Sequence, residues 1–120
     1  MNFVTDPDDI EAWTFHKGAT AKMLVNGQKM TAIMSMWESK TSFPLHSHAH
    51  EQIGFCLQGE VVFIIDGKEY VVKKGKAYTI PPNVQHAQRN DSDEPAVFLE
   101  CFAPVREDLL RGRFEQKVYE

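Results

Sequence analysis

Cysteine is scarce in this sequence: Cys56 and Cys101 are the only two in 120 residues, and each sits alone inside an apolar run. No disulfide framework is expected from such a pair, which reads as two small buried hydrophobes in a reducing compartment. Long hydrophobic runs are absent as well. No segment approaches the ~20 apolar residues of a membrane span, and the amino terminus, MNFVTDPDDIEAW, has neither a basic start nor an apolar stretch of signal length. A soluble, unexported, cytoplasmic protein is the expectation, with no membrane partner. Basic residues are not in excess either: thirteen Lys and Arg against seventeen Asp and Glu leave a net charge of −4, and the cations are scattered. That distribution excludes a nucleic-acid footprint and leaves small molecules or protein partners. Repeats, low-complexity tracts and linkers are missing too, so one domain spanning 1–120 is the simplest account, its core about 12–104. A domain of this length buries a real core without a staple, so a bound metal would be functional rather than structural.

What is present is a succession of short β-branched or aromatic runs broken by turn residues. KMLV, Asn26-Gly27, QKMTAIMSMW, and later VVFII, Asp66-Gly67, KEYVV, read as hairpins in which both central turn residues need positive φ. Gly59-Glu60, Lys74-Gly75-Lys76, Pro81-Pro82 and the stretch 90–95 interrupt the chain again. Ten or so short strands with almost no helical periodicity predict an all-β barrel or sandwich, an architecture that holds ligands in its mouth. Only VREDLLRGRF near the end predicts a short helix, about two turns stopped by Gly112, packing Leu109, Leu110 and Phe114 across one end of the barrel or onto a second subunit. Met30, Met34 and Met36 with Trp37 predict a core strand, His16 a surface position, and the acidic stretch 6–11 an exposed lead-in.

Four of the five histidines fall in two clusters: His46, His48 and His50 in PLHSHAHEQ, and His86 in IPPNVQHAQRN. If the first run is one strand, its three histidines and Gln52 share a face while Glu51 points away. Neutral imidazole is the commonest protein metal ligand, and a second strand carrying His86 closes the site from across the barrel. The alternative, a solvated turn beside an ordinary core histidine, leaves the second cluster unexplained.

From His46 the spacing runs His-x-His, then Gln52 six residues on and Gly59 thirteen on; from Gly75 it runs through Pro81 to His86 and Asn90. This double pattern, over roughly residues 30–104, resembles the two motifs of the cupin superfamily. The resemblance implies a single-domain jelly-roll β-barrel of cupin type with one divalent transition-metal ion on His46, His48, Gln52 and His86. Gln52 stands where many cupins place a glutamate, and Asn83 replaces a glycine, which Asn does readily because it tolerates positive φ. With only neutral ligands the ion keeps its full charge, which favours a Lewis acid seeking an anion and demotes oxygenase chemistry. Zn, Ni, Cu, Co, Fe and Mn all suit three histidines. His50 is expected to line the pocket or to support a ligand, and Gln88, sharing parity with His86, to line it too. Gly54 and Cys56 alternate with Gln52, and their small size is expected to leave room beside the ion.

If Phe98 to Phe102 is a strand, Glu100 and Phe102 enter the pocket together and Arg106 follows at the rim, where a guanidinium clamps a carboxylate in bidentate fashion. HSHAHEQ, together with the ending acid-x-Phe-x-Pro-x-Arg-Glu-Asp, is similar to the small cupins of pectin and alginate breakdown that linearise 4,5-unsaturated uronates. That resemblance implies that Glu100 and Arg106 act on the substrate and that Phe102 lines its site. In that group the acid is an aspartate, and the extra methylene of Glu100 shifts a proton-transfer group by about 1 Å. The expected function is therefore a metal-dependent enzyme for a small carboxylate-bearing sugar derivative or keto acid. A non-catalytic metal and acid binding module, or a dioxygenase, are the alternatives. A homodimer is expected as well, because edge strands need cover and the segment with Trp13 and Phe15 is suited to add a strand to a neighbour.

Overall fold

A computed structural model describes residues 3–110 and 117–119. After a 3-10 turn at Pro7–Asp9, the strands are β1 (Trp13–His16), β2 (Ala19–Asn26), β3 (Thr31–Trp37), β4 (Thr41–Ser47), β5 (Glu51–Gln58), β6 (Glu60–Ile65), β7 (Lys68–Lys73), β8 (Ala77–Ile80), β9 (His86–Asn90) and β10 (Ala96–Ala103). A helical turn α1 (Glu107–Leu110) and a last short strand β11 (Lys117–Val118) complete the described chain. They form two antiparallel sheets, one in the order β1-β2-β3-β10-β5-β8 and the other β11-β4-β9-β6-β7. The chain passes repeatedly from one sheet to the other, which makes the sandwich a jelly roll.

Turn chemistry explains two of the connections differently. Asp66 and Gly67 both take left-handed φ, 51° and 82°, and close a two-residue hairpin between Ile65 and Lys68. Asn26-Gly27 does not behave this way. The β2–β3 connection uses four residues, 27–30, closed by the Gly27 N–H donating to the Met30 carbonyl at 2.8 Å, and neither Asn26 nor Gly27 has positive φ. Two added residues spread the reversal over more torsions and remove the need for left-handed backbone. Asn83 does take φ 66°, the conformation its place in the second histidine motif calls for.

Alternation sets the inner face. Along β10, Ala96, Phe98, Glu100 and Phe102 are buried while the residues between them are partly exposed. On β3 the buried positions are Thr31, Ile33, Ser35 and Trp37, so Met34 and Met36 lie on the outer face and Met30 is exposed in the preceding loop. The core expectation for the methionines is thus corrected: Trp37 sets the parity, and a period of two sends its neighbour Met36 outward. Phe63, Tyr78 and Phe98 pack in the middle of the sandwich, with Phe63 and Tyr78 ring centroids 4.2 Å apart. A second cluster of Ala21, Ile33, Phe102 and Leu109 seals one end, so Leu109 of α1 does close the barrel. The roles expected for the Leu110 side chain, for Gly112 and for Phe114 lie outside what is described.

β1 pairs antiparallel with β2 and forms one edge of the six-stranded sheet, and Phe15 packs on the core. His16 is half-buried rather than on the surface, its ring edge-on to Phe43 at 5.0 Å. No helix among the described residues is long and apolar enough to cross a membrane.

Candidate metal centre

The histidine run is not one strand. β4 ends at Ser47, a bend covers residues 48–50, and β5 begins at Glu51 in the opposite sheet. His46 therefore belongs to one sheet, Gln52 to the other, and His48 sits where the chain crosses between them. The side chains converge nonetheless, because the crossing wraps around the end of the barrel. His86, first residue of β9, is the cross-strand partner of His46, past a bulge that re-aims the strand at Pro44. Ring centroids lie 4.0 Å apart for His46 and His86, 4.9 Å for His48 and His86, and 6.0 Å for His46 and His48. One ring nitrogen from each of the three lies within 4.8 Å of the others, and all three side chains are buried. His46, His48 and His86 are thus placed to hold one ion.

Each imidazole is oriented from behind by a backbone carbonyl: His46 Nδ1 to Pro44 at 2.8 Å, His48 Nδ1 to His50 at 2.9 Å and His86 Nδ1 to Val84 at 2.8 Å. A carbonyl only accepts, so Nδ1 carries the hydrogen and Nε2 presents its lone pair to the interior. This is the outer support that metal-binding histidines use. His86 Nε2 is buried without a hydrogen-bond partner among the described residues. His48 Nε2 meets Gln52 Oε1 at 3.0 Å. The Gln52 amide cannot turn to relieve that contact, since its Nε2 donates to Glu100 Oε2 at 2.8 Å and to the Tyr78 hydroxyl at 2.7 Å. A neutral His48 has one hydrogen and two facing acceptors, so one lone pair always opposes another. A cation among Nε2 of the three histidines and Gln52 Oε1 resolves both the opposed pair and the orphaned His86 nitrogen, so the residues present fit a metal ion.

Protons do not fill that role near neutrality. Burial first, then the neighbouring imidazoles and Arg106, push His46 down to about 3; burial, His86 and Arg106 push His48 down to about 4. Burial lowers His86 as well. All three are neutral at physiological pH, the form in which an imidazole can bind a metal.

Behind Gln52 lies a hydrogen-bonded group that sequence reasoning missed in part. Glu100 is fully buried, and its Oε2 accepts from both Gln52 and the Tyr78 hydroxyl. Ser35 also bonds it and in turn accepts from Trp37 Nε1 at 3.1 Å. Burial raises the Glu100 carboxyl above its ordinary range, although the hydrogen bonds from Ser35, Tyr78 and Gln52 and the charge of Arg106 oppose the shift. The space expected beside Gly54 is taken by the Tyr78 ring. A Cβ on Gly54 would lie 2.3 Å from a Tyr78 ring carbon, and Cys56 is sealed in the apolar core. Gly54→Ala is therefore expected to push Tyr78 off Gln52 and lower stability by about 1–3 kcal/mol, read as a reduced Tm. The opposition of Gly54 and Tyr78, one small residue against one large one across β5 and β8, arises only when the two strands pair.

Gln88 lines the same cup, buried, with Oε1 unpartnered among the described residues. Phe102 stands edge-on to His48 at 5.7 Å, and half-buried His50 lies near both, at 5.9 Å from His48 and 6.5 Å from Phe102. His50 is outside the three-histidine cluster and bonds the Val105 backbone. Glu51 is exposed, as its parity requires.

Arg106 departs from expectation. It is fully buried instead of open at the rim, its guanidinium carbon 4.7 Å from the Phe102 ring centroid. Its fork is already engaged: Nε donates to Asp108 Oδ1 at 2.9 Å and Nη2 to Asp108 Oδ2 at 2.6 Å. The physical reason is the α1 turn, which folds Leu109 onto the barrel end and carries Asp108 back over the guanidinium; a buried cation requires such a partner. The cup itself has a volume of about 20 Å³, room for about one water or ion.

A family model described as the cupin domain matches residues 32–102. The chain is 29% identical over 80 residues to the HTH-type transcriptional regulator PuuR of Escherichia coli, covering 63% of this chain and 43% of that protein. It is 32% identical over 66 residues to the pectin degradation protein KdgF of Dickeya dadantii, covering 54% of this chain and 59% of the relative. The chain thus spans about half the length of these relatives. The solved structure of KdgF from Halomonas sp. superposes with a TM-score of 0.84 at 18% identity, over 91% of this chain and 99% of that one. At that identity the likeness speaks for the fold alone.

Proposed function

This chain belongs to the cupin family, and we propose that it is a metal-dependent enzyme acting on a small carboxylate-bearing sugar derivative, a 4,5-unsaturated uronate being the leading candidate. The observation that carries the reading is the pinned geometry of His46, His48, His86 and Gln52 beside a buried acid and a buried guanidinium. A divalent ion bound by the three histidines and Gln52 Oε1 supplies Lewis-acid polarisation of a substrate oxygen. The remaining work falls to the chain's own groups. Arg106 binds the substrate carboxylate by exchanging Asp108 for it, a swap of one charge-assisted pair for another. Breaking the Arg106–Asp108 pair without replacement would cost about 3–5 kcal/mol, so only an anion of matching geometry opens the fork. Phe102 supplies the apolar wall beneath the guanidinium, and Gln88 and His50 bind substrate hydroxyls. Glu100, its pKa raised by burial, moves the proton during ring opening or tautomerisation. The carboxyl is held in place by Gln52 and Tyr78 at Oε2 and by Ser35, which fixes its direction for proton transfer. Because the cup is so small, the substrate's ring lies at the mouth, beneath α1, and only its polar edge reaches the centre.

The test follows the ultraviolet absorbance of an unsaturated uronate with metal-loaded protein, metal-stripped protein and Glu100→Gln. Decay is expected with the loaded wild type alone, and Glu100→Gln is expected to lose about a hundredfold or more in kcat. Equal decay in all three would remove the proposal. A second reading, a metal and acid binding module without turnover, is favoured by the tight cup and by the similarity to PuuR, which is a transcriptional regulator. Carboxylate binding by calorimetry without product, unchanged by Glu100→Gln, would select it.

A further inference from the structure

The sandwich is open along one edge. β7 is the last strand of one sheet and β8 the last strand of the other, and between them runs a slot of about 870 Å³ that is separate from the metal cup. Tyr70 shows how far the slot gapes. Its register partner on β6 is Phe63, which places both on the inner face, yet Phe63 is fully buried and Tyr70 is 49% exposed. β8 has four residues against six in β7 and leaves it uncovered. Ile65, Val72, Ala77 and the rings of Tyr70 and Tyr78 give the slot apolar walls. Lys73 and Lys76 flank one end, on the turn that joins the two strands, where the Lys76 N–H donates to the Lys73 carbonyl at 2.9 Å. That turn is pinned to the barrel: the Gly75 N–H donates to the Cys56 carbonyl and the Cys56 N–H to the Lys76 carbonyl, both at 2.9 Å. No described acid lines the slot. Glu60 is the register partner of Lys73, and among the described residues neither lysine forms an ion pair with it or with any other acid.

We propose that this slot binds a medium-chain aliphatic carboxylate, its head between Lys73 and Lys76 and its chain along the apolar walls towards Tyr70. Charge complementarity carries the choice. Two cations without an acid to neutralise them, at one end of an otherwise apolar slot, match a ligand with one anionic head and no other polar group. From Lys73 to Tyr70 the strand advances about 10 Å, the length of an extended chain of about eight carbons. The volume falls within the range of small-molecule sites, up to about 1,000 Å³. A sugar acid suits the slot poorly, because its hydroxyls would lose water against valine and isoleucine. An added peptide strand is opposed by the same lysines, which guard the two edges such a strand would pair with. The slot and the metal centre meet at Tyr78, whose ring lines the one while its hydroxyl contacts Gln52 and Glu100 of the other. The proposal does not depend on the reading of that centre as an enzyme.

Titrating the zinc-loaded, isotope-labelled full chain with sodium octanoate is expected to shift the amide resonances of β7, of the turn 73–76 and of β8, saturating below about 10 mM. Octan-1-ol, the same chain without the charge, is expected to bind about tenfold more weakly. The double variant Lys73→Gln, Lys76→Gln is expected to lose about tenfold in octanoate affinity and to leave octanol unchanged. Both lysines are exposed, and the single variants, expected to lose about threefold each, give the same reading should the pair disturb the turn. No saturable shift, equal affinity for octanol and octanoate, or wild-type affinity in the double variant overturns the proposal. So does octanoate that moves only the amides around His46, His48 and His86, the result expected of an ion that holds the carboxylate by itself. A hexapeptide of alternating valine and glutamate that moves the β7 and β8 amides at lower concentration than octanoate assigns the slot to an added strand. Movement of those amides on diluting the ligand-free chain assigns it to a second copy, and either outcome rejects the carboxylate.

Discussion

Acidifying the metal-free protein from pH 6.5 to 5 is expected to remove up to about 4 kcal/mol of folding stability, at about 1.4 kcal/mol per pH unit for each of His46 and His48. The sign follows from where protons bind. In the folded chain the two imidazoles titrate near 3 and near 4, against an ordinary value of 6.5. Between those limits the unfolded chain holds more protons than the folded one, so stability rises with pH and becomes level above about 6.5. Its cause is burial first, reinforced by His86 and by the guanidinium of Arg106: a charged imidazole there lacks solvent and faces other positive groups. Urea titrations of stripped protein from pH 8 to 5 measure the slope, with a His46→Gln, His48→Gln double variant as the control that flattens it. Saturating zinc lifts the whole curve, because it binds the folded form. A stripped wild type equally stable at pH 8 and 5 would mean that the imidazoles are open to solvent.

Changing Gln52 to glutamate is the second large effect expected. The Gln52 Nε2 that donates to Glu100 Oε2 at 2.8 Å becomes an oxygen, so two carboxyls share a buried site. A buried like-charge pair of this kind costs about 3–5 kcal/mol at pH 7 in the stripped protein. Because the pair's upper pKa is raised in the folded state, the loss is relieved as pH falls and deepens as it rises, opposite to the histidine slope. A divalent ion relieves it too, so Gln52→Glu is expected to make stability more dependent on metal, read as a larger Tm difference between loaded and stripped protein. An unchanged Tm difference would show that residue 52 does not face the ion. Gln52 thus keeps Glu100 from becoming half of a carboxyl dyad.

Much of this was legible without coordinates. The alternation of Phe98, Glu100 and Phe102 is a local property of a strand, and it survived intact because one face of β10 is core. Asp66-Gly67 specified its hairpin through left-handed backbone, which is local as well. His46, His48 and His86, which the fold brings close enough to hold one ion, stand out in the sequence for a reason that is partly wrong: strand parity does not join them, since His46, His48 and Gln52 lie on two sheets and the bend between them. Tyr78 drew no attention because its role exists only against Gly54, an opposition created by pairing of β5 with β8. The methionines were assigned to the core by composition, whereas Trp37 set the parity and turned them outward.

Residue chemistry and short-range periodicity determined the strands and most turns, because these depend on neighbours within a few positions, and histidine clustering marked out three candidate imidazole ligands. Only the tertiary structure decided that the imidazoles are held neutral, that Gln52 is pinned by Glu100 and Tyr78, and that Asp108 fills the fork of Arg106. Burial and partner choice are properties of which surfaces meet, and strands far apart in the chain supply those surfaces.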